Sequence, residues 1–170
     1  MARRALLAVL LVALYAAMCT AIWWREHRRR RAARAEAEAL ATAQDAGAPP
    51  LLVAYASQTG QAEELARETA RVLHAAGEPV RLVPLQAVDA ALLQRTQRML
   101  VVASTYGEGD APDNAARFQS TVMAAAASLA HLQYAVLALG DRQYAQFCGF
   151  ARALDEWLRD CGARPWFPRI

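Results

Sequence analysis

The sequence has few cysteines, and their spacing does not pair them. Cys19, Cys148 and Cys161 show none of the spacings that zinc sites use, and they argue against a disulfide framework. Lysine is absent, so no Gly-Lys-Ser/Thr triplet occurs and a Walker loop is excluded. No G-x-S-x-G element is present either, and the three histidines are scattered. These absences count against a metal enzyme, a P-loop nucleotide hydrolase and a serine hydrolase.

The positive charge is concentrated at the beginning of the chain. Eight arginines and four acidic residues precede Pro50, whereas eleven arginines and twelve acidic residues follow it. The net charge of +3 therefore combines a leader of +4 with a domain of −1. The two parts need separate explanations.

An uncharged apolar run of twenty residues, Ala5–Trp24, lies near the N-terminus. At about 1.5 Å per residue, a helix of this length crosses a hydrocarbon core of roughly 30 Å. Trp23 and Trp24 occupy the end of the run, where interfacial aromatic residues are common, and a block of arginines follows them. This excess of arginine on the C-terminal side predicts a single-pass anchor in the cell (inner) membrane, with the rest of the chain in the cytoplasm.

Two alternatives apply to this leader. A cleaved signal peptide is compatible with the small residues near Met18, but its apolar core should be shorter and should not precede an arginine block. The arginine block could also indicate nucleic acid, but no aromatic residues are interleaved with it. We expect the arginine block to set the orientation of the anchor in the membrane, and we expect no nucleic-acid partner.

The leader ends in a linker. Ala32–Gln44 is rich in Ala, Glu and Arg and favours a helical stalk, and the Pro-containing segment Asp45–Pro50 ends it. We therefore expect an anchor with its basic flank at residues 1–25, a stalk and linker at 26–50, and a soluble domain at 51–170.

Short apolar runs in this domain alternate with stretches of helical periodicity. Pro84 places the second run at a sheet edge, since proline cannot donate to a ladder. The predicted strands are Leu51–Ala56, Val80–Leu85, Met99–Ser104, Leu132–Leu139 and Pro165–Ile170.

Four helices are predicted between the strands, with Asp89 capping a short one that extends to about Gln94. The alternation predicts an α/β fold, with a parallel sheet covered by helices on both faces. No fifth helix follows the last strand, so we expect a truncated sequence or a chain completed by a partner. The expected apolar stripes of the three longer helices are Ala62, Leu65, Ala66, Thr69, Ala70 and Leu73; Ala115, Phe118, Val122 and Ala126; and Phe150, Leu154, Trp157, Leu158 and Cys161.

Three loops follow the first, third and fourth strands and should meet at one end of the sheet. The first supplies hydroxyls, a glycine and a helix N-terminus, which suit a phosphate, although an ordinary capped helix start is the alternative. Tyr106 and Tyr144 in the other two loops could enclose one planar ring system. Asp110 is a candidate N-cap, with Asp113 three residues later.

Residues 51–170 resemble the flavodoxin-like FMN domain of diflavin reductases, the family of cytochrome reductases, nitric oxide synthase reductase domains and sulfite reductase flavoprotein. The resemblance rests on S-Q-T-G-Q-A at Ser57–Ala62, S-T-Y-G-E-G-D-A-P-D-N-A at Ser104–Ala115 and L-G-D-R-Q-Y-A-Q-F-C-G at Leu139–Gly149. It implies a doubly wound five-stranded parallel sheet of order 2-1-3-4-5 and FMN as cofactor.

The resemblance also implies the site residues. The FMN phosphate would be held by the first loop, and the isoalloxazine would lie between Tyr106 and Tyr144, with the Tyr106–Gly107 peptide near flavin N5. For Cys148 we expect the role of a small buried hydrophobe rather than a redox role. The implied cofactor-binding residues are Ser57, Gln58, Thr59, Gly60, Gln61, Ala62, Ser104, Thr105, Tyr106, Gly107, Glu108, Gly109, Leu139, Gly140, Asp141, Tyr144, Phe147 and Cys148.

Acidic residues cluster at the expected edge of the flavin. Glu108, Asp110, Asp113 and Asp141 could steer a basic partner, with helix capping and solvation as the alternative. The resemblance implies a relay of single electrons from an FAD/NADPH reductase module, in missing sequence or a separate chain, to a redox acceptor protein. A flavodoxin-like NAD(P)H quinone reductase and a non-redox, membrane-tethered interaction module are the alternative functions.

Overall fold

The computed structural model describes residues 10–25, 27–28, 31 and 49–170. Residues 10–25 are helical and exposed. Among the described residues, no helix combines the length and the apolar character needed to cross a membrane. The predicted span Ala5–Trp24 begins outside these residues, and the predicted stalk Ala32–Gln44 lies outside them altogether.

Five parallel strands form one sheet in the order β2-β1-β3-β4-β5, as the resemblance implies. The outer position of β2 confirms the interpretation of Pro84, which pairs with Tyr55 on one side only. The strands are β1 Leu51–Ala56, β2 Val80–Pro84, β3 Arg98–Ser104, β4 Gln133–Leu139 and β5 Arg164–Pro165.

Strand β5 is shorter than the predicted Pro165–Ile170, although the chain continues beside β4. The backbone N–H of Trp166 donates to the carbonyl of Tyr134 at 2.8 Å. The next donor in a regular parallel ladder would be residue 168, which is a proline without an N–H. Ile170 instead donates to the carbonyl of Val136 at 3.2 Å, so the ladder resumes after an interruption.

The helices follow the predicted order. Asp89 caps the short second helix, because its Oδ1 accepts from the N–H of Leu92 at 2.7 Å. The third helix continues as a π-helical segment, Phe118–Met123, and a short 3-10 turn, Leu85–Ala87, follows β2. The helices are α1 Gln61–Ala75, α2 Ala90–Arg95, α3 Asp113–Arg117 and α4 Gly149–Asp160.

The main core lies between one face of the sheet and α2, α3 and α4, where Phe118, Tyr134 and Phe150 are fully buried. Helix α1 packs on β1, β2 and β3 from the other side through Ala62, Ala66 and Ala70. Alanine at every fourth position lets this helix approach the sheet closely and leaves the larger side chains at its flank.

Two predicted stripe positions, Leu65 and Ala126, are wrong. Leu65 is 39% exposed, because the alanines rather than the leucines of α1 face the sheet. Ala126 is exposed, since the helical segment ends at Met123. Trp157 and Cys161 are partly buried and pack against the core, as predicted.

Asp155 is a buried carboxylate in the domain of residues 51–170. Asp155 on α4 is 3% exposed, and its Oδ1 accepts from the hydroxyl of Tyr134 at 2.7 Å. Its Oδ2 lies 3.0 Å from guanidinium nitrogens of both Arg159 and Arg169. Because Arg169 belongs to the C-terminal segment, the carboxylate joins that segment to α4 and β4.

Candidate cofactor site

Loop 1, Ser57–Gly60, connects β1 to α1 through a left-handed glycine. Gly60 has φ of 96°, and its N–H donates to the Ser57 hydroxyl at 2.9 Å. Helix α1 receives no side-chain cap, so the alternative of an ordinary capped start lacks its hydrogen bond. The N–H groups of Thr59, Gln61 and Ala62 donate to no acceptor in the described part of the chain. These donors form a suitable environment for an anion at the helix N-terminus.

Loop 2, Thr105–Pro112, turns back on itself after β3. Tyr106 and Asp110 exchange two backbone hydrogen bonds, of 2.9 and 2.8 Å. Gly107 and Gly109 both have positive φ, which lets the turn close. The prediction that Asp110 caps α3 is wrong, because its backbone is used in this turn and Pro112 occupies the N-cap position without a side-chain bond.

Thr105 carries an unsatisfied polar atom in this loop. Its backbone N–H donates to the carbonyl of Leu139 at 2.9 Å, but its Oγ1 is buried without a hydrogen-bond partner among the described residues. Ser104, one residue earlier, donates its hydroxyl to the carbonyl of Ala56 at 2.9 Å. A buried hydroxyl without a partner is costly in a native protein, and a bound polar ligand would remove that cost.

Loop 3, Gly140–Cys148, follows β4 and packs tightly against its surroundings. A Cβ added at Gly140 would lie 2.9 Å from both the backbone nitrogen and the sulfur of Cys148. A Cβ added at Gly149 would lie 2.8 Å from the Cα of Gly109 in loop 2. A Cβ added at Gly109 would lie 2.8 Å from the Cβ of Gln146 in loop 3, so a side chain at Gly109 or Gly149 would push loop 2 away from loop 3 and the start of α4.

Cys148 is buried and has a φ of 53°, an uncommon conformation for a residue with a side chain. Burial raises the pKa of its thiol, and the charges of Arg169 and Arg152 oppose that effect. The thiol therefore stays protonated at neutral pH, which agrees with the interpretation of Cys148 as a small buried hydrophobe.

Three aromatic side chains from loops 2 and 3 are exposed at the carboxyl end of the sheet. Tyr106 is 56% exposed, Tyr144 is 44% exposed and Phe147 is 40% exposed. Gly107 and Leu139 are half-buried beside them. Large exposed aromatic residues in two adjacent loops are typical of a binding surface rather than of a core.

The acidic residues of this end are all exposed. Asp113 accepts a hydrogen bond from the side-chain amide of Gln58 at 3.0 Å, and Asp141 accepts one from the backbone N–H of Gln143 at 2.9 Å. No described arginine forms an ion pair with Glu108, Asp110, Asp113 or Asp141. Four exposed carboxylates outweigh Arg142, the exposed arginine of loop 3, so the rim of the site carries net negative charge.

Comparison with known proteins decides the family. Residues 53–170 match the model of the protein family described as Flavodoxin. The chain belongs to the flavodoxin family. Flavodoxins and the homologous reductases bind FMN.

The flavodoxin-like domain has relatives among reductases and solved structures. It is 38% identical over 132 residues to the sulfite reductase [NADPH] flavoprotein alpha-component of Photobacterium profundum, covering 77% of the chain and 22% of that protein. It is 30% identical over 123 residues to NADPH oxidoreductase A of Dictyostelium discoideum, covering 71% and 20%. A flavodoxin from Pseudomonas aeruginosa, solved as a cysteine-to-alanine variant, matches with a TM-score of 0.63 and 28% identity, covering 71% and 81%. The chain thus spans about a fifth of the length of these reductase relatives.

The residues present fit FMN. Loop 1 has N–H donors without acceptors, Thr105 has a buried hydroxyl without a partner, and Tyr106 and Tyr144 expose ring surface. The structure places Ser57–Ala62, Ser104–Gly109 and Leu139–Cys148 in or directly beside the three loops, as predicted. Their individual contacts to the cofactor stay predictions.

One residue of the site was missed by sequence reasoning. Asn114, in the first turn of α3, accepts the backbone N–H of Ser57 at 2.8 Å through its Oδ1. Asparagine is a weak helix former that often bonds to backbone groups outside the helix, which was the available signal. Its partner lies 57 residues away in the sequence, so the pairing itself could not be read from local spacing.

Proposed function

We propose that this chain is an electron-transfer domain of the diflavin reductase type, which binds FMN and relays single electrons from an FAD/NADPH reductase module to an acceptor protein. The observation that carries the proposal is the meeting of three loops at one end of the sheet, where unpaired N–H groups face the same edge as two exposed tyrosines. The similarity to reductase flavoproteins supports the electron-transfer role.

Different residues would bind different parts of FMN. Loop 1 would hold the phosphate through backbone N–H groups and hydroxyls, without a lysine or arginine in the loop. Tyr106 and Tyr144 would hold the ring by stacking, and the Thr105 hydroxyl would gain a partner. Bound FMN supplies the one- and two-electron redox chemistry, and the protein supplies orientation and electrostatics.

The negative rim supports a protein partner. Glu108, Asp110 and Asp141 are exposed around the aromatic surface, so a basic partner would be attracted to the edge of the ring. Negative charge at this place would also disfavour the accumulation of further negative charge on the reduced flavin.

The test is reconstitution of the full 170-residue chain, purified in detergent, with FMN. We expect a yellow protein with one FMN per chain, and Tyr144→Ala should weaken FMN binding about tenfold through loss of ring contact. Addition of a separate FAD/NADPH reductase should reduce the bound flavin. A folded, colourless chain that takes up no FMN would contradict the proposal.

Two further measurements, one on the purified chain and one in cells, test the alternatives. Rapid NAD(P)H oxidation by the purified chain alone would favour a quinone reductase. Unchanged cellular activity after Tyr106→Ala combined with Tyr144→Ala would favour a tethered interaction module without redox turnover.

We also propose that the chain is anchored in the cell (inner) membrane with residues 51–170 in the cytoplasm. The uncharged run Ala5–Trp24 and the arginine block after it support this topology. Residues 10–25, which include most of the run, are helical. Near this end Trp23 stacks on His27 with ring centroids 5.1 Å apart, and Arg28 lies over Trp24. The chain should stay in the membrane fraction after alkaline washing and be released only by detergent. A chain recovered in the supernatant would contradict anchoring.

A further inference from the structure

Loop 1 is tied to the beginning of α3 by two separate contacts. In the first, the half-buried Asn114 accepts the Ser57 N–H at 2.8 Å. In the second, Gln58 and Asp113 form a reciprocal pair, since the Gln58 amide nitrogen donates to Asp113 Oδ2 and Gln58 Oε1 accepts the Asp113 N–H, both at 3.0 Å. We call these four residues, Ser57, Gln58, Asp113 and Asn114, the cross-loop clamp.

The clamp occupies the Ser57 N–H and the side chain of Gln58, and it leaves the other backbone N–H groups of loop 1 unused. The N–H of Ser57 is taken by Asn114, and both polar atoms of the Gln58 side chain are taken by Asp113. Thr59, Gln61 and Ala62 keep backbone N–H groups with no acceptor among the described residues. The backbone N–H of Gln58 has no acceptor among them either, so the clamp holds the loop through groups other than the N–H donors that could contact a phosphate.

A loop that is fixed before the ligand arrives binds more tightly, because its backbone entropy is already lost. On the basis of the proposed FMN binding, we infer that Asn114 and Gln58 are positioning residues that set the preference of this site for FMN over its dephosphorylated form, riboflavin. The side chain of Gln58 then acts by holding loop 1 rather than as a direct phosphate ligand. The half-buried Asn114 bond contributes more than the exposed Gln58 pair, since water competes less with it.

The ring end of the site does not depend on the clamp. Loop 2 closes through the two Tyr106–Asp110 hydrogen bonds and packs against Gly149 through Gly109. Neither contact involves Ser57, Gln58 or Asn114. Removing the clamp should therefore affect the part of the affinity that comes from the phosphate and leave the ring contacts in place.

The experiment titrates the full chain, purified in detergent, with FMN and with riboflavin, following the quenching of flavin fluorescence. The variants are Asn114→Ala and Gln58→Ala, and the matched control is Gln119→Ala, an exposed glutamine on the π-helical segment after α3. We expect Asn114→Ala to lower FMN affinity about tenfold and Gln58→Ala about threefold, with riboflavin affinity unchanged in both. Gln119→Ala should bind both flavins as the parent does.

A second readout follows the loop without any flavin. Amide hydrogen exchange at Ser57–Gly60 should become faster in both clamp variants and stay unchanged in Gln119→Ala. If Asn114→Ala does not fold, Gln58→Ala carries the test, because it removes an exposed contact.

The outcomes separate the two proposals. A parent chain that binds neither flavin overturns the proposed function itself. A parent that binds FMN, with variants that lose FMN and riboflavin affinity equally or gain FMN affinity through the freed Ser57 N–H, overturns the positioning role alone.

Discussion

At the scale of the residue, Asp155 is a buried carboxylate with three partners. Two arginines balance its charge and the Tyr134 hydroxyl completes its hydrogen bonding. Burial of Tyr134, together with its bond to Asp155, raises the pKa of its phenol to about 12. The protonated phenol is therefore the form that the folded state requires.

This contact predicts an alkaline instability. An unfolded tyrosine has a pKa of about 10, so the contribution of Tyr134 is fully present below pH 10 and is lost as the pH rises to about 12. Tyr134→Phe should lower the free energy of unfolding by about 2 kcal/mol at pH 7 and remove this part of the alkaline loss. Urea unfolding between pH 7 and 11.5 measures both effects. Parallel curves for parent and variant up to pH 11.5 would contradict the assignment.

Residue roles were predictable where a side chain bonds to its own neighbourhood. Asp89 caps α2 as expected, since its partner Leu92 is three residues away. Asp110 fitted the same rule but fails, because its backbone pairs with Tyr106 and the helix begins later. Asn114 depends on a distant loop, and no local pattern gives that partner.

At the scale of the element, α2 is a helix of six residues that depends on its cap. Asp89→Ala removes the acceptor for the Leu92 N–H and should lower the free energy of unfolding by about 1 kcal/mol. Thermal or urea unfolding measures the loss. Asp160→Ala is the control, because an acid at the end of α4 opposes the helix dipole and its removal should cost nothing. Equal losses in both variants would show that Asp89 does not act as a cap.

The strands were predictable because buried parallel strands are short apolar runs bounded by turn residues. The sheet order came from the family resemblance, and the edge position of β2 also followed from Pro84. The length of β5 was not predicted, since Pro168 interrupts its ladder within an otherwise apolar run. The stripe of α1 was misjudged at Leu65, because close packing on the sheet selects alanines over leucines.

At the scale of the whole molecule, the proposed cofactor links binding to stability. A ligand that binds only the folded state stabilises it by about 2.7 kcal/mol at a hundredfold excess over its Kd. For a domain of this size, FMN should raise the thermal midpoint of unfolding by about 10 °C, and its removal should reverse the shift. Scanning fluorimetry at several FMN concentrations measures the dependence. A midpoint that does not move with FMN concentration would contradict binding to the native state.

The interlock between loops 2 and 3 has a consequence for protein engineering. A Cβ at Gly149 would meet the backbone of Gly109, and a Cβ at Gly109 would meet the side chain of Gln146, so neither position accepts a side chain. Loop 2 transferred to another scaffold would therefore need a glycine at the position of Gly149, whereas loop 2 transferred together with loop 3 and the start of α4 would keep its close contacts.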